Sequence, residues 1–408
     1  MRSIKPKVLI IIGSRPEAIK MAPLVLAMRN DPQAFEVILS ATGQQLQMIP
    51  QALAEFRLEA DLDLEVMQPD QTLAELTSRL MVKLDEIIVG LGPDWVLVQG
   101  DTTSAMVGAL AGFYRRVAVA HVEAGMRTGN QFSPFPEEIN RRIISQCAAL
   151  HFAPTVGCQN NLLREGVPAS RIFVTGNTVI DALLWTRDQV RQQPSALPPN
   201  LEGRLHNRRL VLVTSHRREN FGTRLESICL ALKELCGKFE DIVVVYPVHP
   251  NPNVERTVRR MLGGEPRIEL IDPQPYRSFV ELIDRAFIIL TDSGGLQEEA
   301  PSFGKPVLVL RDTTERPEGI EAGTAKLVGT DQQDIVSAAV DLLCDSEQYE
   351  RMSEAKNPYG DGTAASRIVA VLRDAEVALP RNGLGINEKS VNPLPISIYE
   401  VGETELPR

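Results

Sequence analysis

Short runs of aliphatic and β-branched residues recur along the chain, each followed by a longer stretch with helical spacing of apolar positions. KVLIII precedes PLVLAMRN, and FEVILSA, DWVLVQ and VAVAHV continue the series. Runs that are apolar throughout mark strands covered on both faces, and helices between them mark a parallel sheet of βαβ units. The alternation stops at 191–208, RQQPSALPPNLEGRLHNR, where Pro, Gln and Asn crowd together. It resumes with RLVLVTS, DIVVVYPV, RIELIDP, AFIILTD and KPVLVL. This pattern predicts an α/β protein with an N-terminal domain over 1–190, a linker over 191–208 and a C-terminal domain over 209–362. A ligand cleft is expected where the two halves face each other. A closing helix is expected over 363–378, and the Pro-, Gly- and Asn-rich 379–408 is expected to be a flexible tail.

Composition narrows the class. A chain of 408 residues can hold two cores, since single hydrophobic cores stop growing at roughly 250–300 residues. A net charge of −10 argues against a general nucleic-acid binder, which would carry a basic footprint. The five cysteines are odd in number and form no CxxC pair, so reduced thiols are expected rather than disulfides or a zinc site. KVLIII superficially resembles a secretory leader, but it is short and Arg15, Glu17 and Lys20 follow at once, which suits a first strand. No run approaches the length of about 20 apolar residues needed to span a membrane.

The polar clusters fall where strands give way to helices, which is where open α/β sheets bind ligands. After KVLIII comes G-S-R-P-E, with Ser14 and Glu17 at capping-box spacing and Pro16 in the first turn. That arrangement is by itself a structural device. It also puts Arg15 at a helix N-terminus facing any bound anion, with Lys20 about a turn beyond. After DWVLVQ, Asp101 opens G-D-T-T, where a plain N-cap is the alternative reading. The stretch HVEAGMRTGNQFSPFPEEINRR, 121–142, holds Glu123, Glu137 and Glu138 among Arg127, Arg141 and Arg142 on an expected loop. His216 follows RLVLVT beside two arginines. After AFIIL, T-D-S-G-G-L-Q-E-E-A has the small residues that let a phosphate approach the N–H groups of a helix N-terminus. Glu299 there is placed to accept ribose hydroxyls, whereas a solvated helix face is the preferred expectation for Glu298. Neither G-x-G-x-x-G nor G-x-x-x-x-G-K-[ST] is present, nor the G-x-S-x-G elbow, and no His/Asp/Glu set has metal-ligand spacing.

These segments, with TGNTVIDAL, YPVHPNP, DPQPYRSF, GKPVLVLRDTTERPE and NPYGDG, resemble the non-hydrolysing UDP-N-acetylglucosamine 2-epimerases in order from about residue 7 to 378. The resemblance implies two Rossmann-like domains of the glycosyltransferase-B type with the active site between them. It implies interconversion of UDP-GlcNAc and UDP-ManNAc with no added redox cofactor or metal, by a homodimer in the cytoplasm. By motif, Asp101, Glu123, Glu137 and His216 match catalytic positions. Arg15, Lys20, Arg141, Gln274, Phe279, Ser293, Gly294, Gly295, Glu299 and Arg316 match substrate contacts: Gln274 and Phe279 on the uridine side, Ser293 to Gly295 at the phosphate, Glu299 at the ribose. A relative acting on another UDP-2-acetamido sugar, one that hydrolyses to ManNAc, and a non-catalytic sensor are the alternatives.

The chain departs from the family pattern at one place. T-G-Q-Q-L-Q-M stands where many bacterial members read TGQHR-x-M, so Gln45 and Leu46 replace His and Arg, and Asp70 stands where an Arg is common. This region corresponds to an allosteric UDP-GlcNAc site, of which Gln44, Gln47, Arg217 and His249 remain. Losing two cations and gaining an acid is expected to weaken capture of a diphosphate there.

Overall fold

A computed structural model describes residues 5–43, 47–68 and 70–375. Gln44, Gln45, Leu46 and the 379–408 tail lie outside the described residues. The first sheet contains β1 (Lys7–Ile12), β2 (Glu36–Ala41), β3 (Leu62–Asp63), β4 (Trp95–Gln99), β5 (Ala118–Val122), β6 (Leu150–Ala153) and β7 (Ile172–Val174). It is wholly parallel, in the order β3-β2-β1-β4-β5-β6-β7. The second contains β8 (Arg209–Thr214), β9 (Ile242–Pro247), β10 (Ile268–Ile271), β11 (Ala286–Thr291), β12 (Val307–Val309) and β13 (Ala325–Leu327). Its order, β10-β9-β8-β11-β12-β13, repeats the doubly wound arrangement of the first. The fold is therefore two parallel-sheet α/β halves, as the alternation of apolar runs predicts.

The local reasons are ordinary ones. β4 and β5 are buried at every position, which a parallel strand between helices requires. The helix Thr103–Tyr114 packs close enough that a Cβ on Gly108 would come within 2.8 Å of Ile11 Cδ1. The helix Leu73–Leu91 has a full capping box from Thr72 and Glu75 and stops at Gly92, whose φ of 55° suits a residue without a side chain.

Two features join the halves. Residues 191–208 carry a helix, Pro199–Leu205, and Leu197, Leu201 and Leu205 are buried in a core that contains residues of both sheets. Burying a leucine contributes about 1.5–3 kcal/mol, so this polar-looking stretch is anchored. The closing helix, Ala364–Asp374, packs on the first half although it follows the second. Asp181 accepts from the backbone N–H groups of Ala364 and Ala365 at 3.2 and 2.8 Å, and Arg367 donates to the Thr175 carbonyl at 2.9 Å.

Candidate active site

In a doubly wound sheet the two central strands send their helices to opposite faces, which opens a crevice at their carboxyl ends. Here those strands are β1 and β4 in one half and β8 and β11 in the other, and Arg15, Lys20, Asp101, His216 and Ser293 follow them.

In the first half, Ser14 accepts from the Glu17 backbone N–H at 3.5 Å and caps the helix Arg15–Arg29. The capping box expected there forms only on one side. The Glu17 carboxylate instead turns to Gly13 N at 3.1 Å and to the Thr102 hydroxyl at 2.8 Å, tying the turn after β1 to the turn after β4. Burial raises its pKa to about 7. Thr102, rather than Asp101, caps the helix Thr103–Tyr114, so Asp101 is released from that structural role. Asp101 pairs with Arg141. Its pKa is raised by burial, opposed by Arg141 and reinforced by Glu123. Glu123, with a φ of 64°, sits just past β5 and accepts from Lys20 Nζ at 2.5 Å and Gln99 Nε2 at 3.0 Å. Burial pushes the Lys20 ammonium down, but Glu123 and Glu298 outweigh it and the pKa is raised.

The 121–142 stretch differs from the expected loop. Glu137 to Arg142 belong to the helix Glu137–Cys147. Glu137 is half-buried and four residues before Arg141, so the two share a helix face. The Glu137 side chain has no hydrogen bond or ion pair among the described residues. Glu138 is fully buried and structural: it accepts from Thr128 N at 3.1 Å, Gly129 N at 3.3 Å and Arg142 at 3.2 Å. Arg127 is held in a bidentate pair by Glu165, at 2.7 and 2.6 Å.

In the second half, Ser293 precedes the short helix Gly294–Glu299. A Cβ on Gly294 would come within 2.9 Å of the Arg316 guanidinium, so only glycine lets Arg316 lie across this turn. Gly295 is exposed, and the nearest atom to a Cβ there would be Ser293 Oγ at 3.8 Å, which leaves room for a ligand. Arg316 donates to Glu298 at 2.9 Å and pairs with Glu315 at 2.9 Å. Glu298 is not the solvated residue expected; it is 1% exposed and also accepts from Asn177 of the first half at 2.8 Å. Burial raises its pKa against Arg316 and Lys20. Glu299, raised to about 8 by burial and by Glu298, lies next to it.

The two halves therefore meet at charge. Lys20 and Glu123 lie within electrostatic reach of Glu298 and Arg316, and Thr155 donates to Glu318 across the same seam at 2.8 Å. His216 and Arg217 gather separately around Asp292, which accepts from their backbone N–H groups at 2.9 Å, and His249 stacks on the His216 ring. Arg217 connects this group to Arg316 through Glu315, at 3.0 Å. The His249 ring accepts from Asn251 N at 3.1 Å. Arg15 is half-buried near Glu55 and Tyr276. Gln274 donates to the Asp272 carbonyl at 2.6 Å, and Phe279 packs on the core from the helix Tyr276–Arg285. Gln47 and Asp70 are both exposed.

Sequence reasoning read Glu17 only as the capping-box partner of Ser14, and did not single out Gln99, Asn177, Asp292 or a buried Glu298. Asn177 lies inside TGNTVIDAL and Asp292 inside the T-D-S-G-G turn, but their partners are far away in the chain.

Comparison with known proteins gives a consistent result. The family model described as UDP-N-acetylglucosamine 2-epimerase matches residues 26–373. A protein of Escherichia coli (strain K12) with that name is 53% identical over 376 residues, covering 91% of this chain and 100% of its own. One from Bacillus subtilis (strain 168) is 51% identical, covering 90% of this chain and 95% of its own. The crystal structure of UDP-GlcNAc 2-epimerase from Neisseria meningitidis, bound to UDP-GlcNAc, superposes with a TM-score of 0.80 at 44% identity. That match covers 90% of this chain and 99% of the other.

Proposed function

The chain belongs to the UDP-N-acetylglucosamine 2-epimerase family, whose members are isomerases, and on that premise we propose that it interconverts UDP-GlcNAc and UDP-ManNAc by eliminating UDP and adding it back. The observation that carries this reading is the meeting of Lys20–Glu123 with Arg316–Glu298 at the carboxyl ends of the two sheets.

The chemistry demands such a site. The C2 proton of the sugar has no carbonyl beside it, so simple enolisation is closed. When the C1–O bond breaks, UDP leaves with the bonding electrons and the positive charge developing at C1 acidifies C2–H. A base takes that proton, anti elimination gives 2-acetamidoglucal, and return of UDP with protonation from the other face inverts C2. Asp101, Glu123 and Glu137 supply the base and the opposing acid. Lys20 and Arg141 hold two of these carboxylates, and with Arg15 they meet the anionic substrate. Ser293, Gly294, Gly295 and Arg316 stabilise the departing diphosphate, and His216 stands beside it as an acid–base group. Glu299 receives the ribose, and Gln274 and Phe279 border the uracil. Both fragments must stay bound until they recombine, which suits a site walled by two halves. The family likeness also supports a homodimer working in the cytoplasm.

Proton NMR with UDP-GlcNAc in D₂O tests the reading. UDP-ManNAc carrying deuterium at C2 is expected. Free ManNAc plus UDP would replace it with hydrolysis, and an unchanged spectrum with demonstrated binding would reject UDP-GlcNAc as the substrate.

A further inference from the structure

Asp292, at the end of β11, has a side chain with no solvent exposure. Its Oδ2 accepts four hydrogen bonds: from Ser215 Oγ, His216 N and Arg217 N at 2.9 Å each, and from Asn220 Nδ2 at 3.0 Å. Its other oxygen, Oδ1, is buried with no hydrogen-bond partner. A buried acceptor left unpaired costs about 1–3 kcal/mol, so the arrangement calls for a reason. Four donors on one oxygen lock the plane of the carboxylate and leave Oδ1 aimed in a set direction. His216 Nδ1 lies in that direction, 3.5 Å away. This is long for a hydrogen bond, as is common for catalytic pairs before substrate tightens them. His249, beyond β9, stacks on the His216 ring at 5.4 Å and 18°, so the ring is braced from a second side. The opposite nitrogen, Nε2, has no partner among the described residues.

We propose that Asp292 is a positioning residue for His216: it holds the ring as the Nδ1–H tautomer and keeps Nε2 free for the substrate. The proposal rests on the epimerase reading for its catalytic consequence, but the geometry stands by itself. Asp292 touches no substrate and acts through His216. The charged groups facing the ring are Asp292 from β11, His249 from the β9 loop and Arg217 from its own turn. Burial lowers the imidazole pKa, Asp292 opposes that, and His249 and Arg217 add to it.

The first test uses ligand-free protein labelled with ¹⁵N-histidine. The chain has five histidines, and His216 is assigned by the signal lost in His216→Asn. Long-range ¹H–¹⁵N correlations are expected to show Nδ1 protonated; a neutral ring protonated at Nε2 overturns the proposal. The second test is Asp292→Asn. Its amide oxygen can take the place of Oδ2 among the four donors, which turns the NH₂ toward His216 Nδ1 and forces the Nε2–H tautomer. The expected result is a kcat lower by about 10²-fold or more, by analogy with orienting aspartates in hydrolytic triads. UDP affinity should be retained, and the limb of the pH–kcat profile belonging to His216 should shift. A folded variant with wild-type kcat and tautomer overturns the proposal. Should the variant fail to fold, the wild-type tautomer alone decides. A wild-type Nδ1–H ring in a protein without epimerase activity upholds the Asp292–His216 pair and rejects the functional reading instead.

Discussion

The two sheets share one strand order, yet the loops at their carboxyl ends do opposite electrostatic work. Those of the first half present carboxylates paired with cations: Glu123 with Lys20, and Asp101 with Arg141. Those of the second half present donors and cations, and apart from Glu299 the acids beside them are buried or paired. Asp292 is buried beneath His216, and Glu298 and Glu315 flank Arg316. The common topology explains only where a ligand goes. On the function proposed above, the side chains make one wall the proton-transfer side and the other the anion-holding side. An elimination that separates a sugar from a diphosphate needs both walls together.

The sharpest way to break this comparison is Glu123→Gln. Proton transfer by a positioned carboxylate contributes about 10²–10⁴-fold, so C2 deuterium exchange should slow by that order while UDP binding persists. An equal loss of UDP binding would show that the first wall is not specialised for proton transfer. Next comes Arg316→Ala, which leaves Glu298 buried without its cation. Removing one partner of a buried pair costs about 3–5 kcal/mol, and a lower denaturant midpoint with weakened UDP binding is expected. Adding Glu298→Gln should restore much of the stability and none of the UDP binding.

A smaller effect concerns the clasp between the two first-half turns. Glu17 has a folded pKa of about 7, raised from 4.5 by burial. The folded state therefore holds this proton more tightly than the unfolded one. The associated stability is fully present below pH 4.5 and fades as pH rises through about 7. The full contribution is about 3 kcal/mol as an upper bound. Glu17→Gln should flatten this portion of the stability curve between pH 5 and 8, as followed by thermal melting. A curve parallel to wild type across that window would rule Glu17 out. The smallest expected difference is kinetic: with Gln45, Leu46 and Asp70 at positions where the resemblance implies an allosteric site, dependence on UDP-GlcNAc should be close to hyperbolic. Strong sigmoidicity in initial rates would show that the retained Gln44, Gln47, Arg217 and His249 suffice for activation.

Much of the fold was legible because its signal is local. A fully apolar run such as WVLV or VVVY, flanked by helical spacing, marks a parallel strand without knowledge of its partner. The strands that escaped notice, β3, β6, β7 and β13, have two to four residues each and lack the longer apolar run that marks the equally short β12 within KPVLVL. The helix at Glu137–Cys147 was hidden because Gly, Ser and Pro dominate the residues just before it.

The sequence by itself determined the two α/β halves and, through long ordered motifs, the family, and it pointed to the turns proposed to carry the chemistry. Only the tertiary structure decided which charges meet. Lys20 and Glu123 are 103 residues apart, and Asn177 and Glu298 are 121 apart, so no local pattern could pair them. The same holds for burial. Glu298 sits on a short helix that looks solvated, and becomes a buried ion-pair partner because the first half covers it. Periodicity reports what neighbours along the chain require, whereas the cost of burying a charge is set by whatever the fold brings against it.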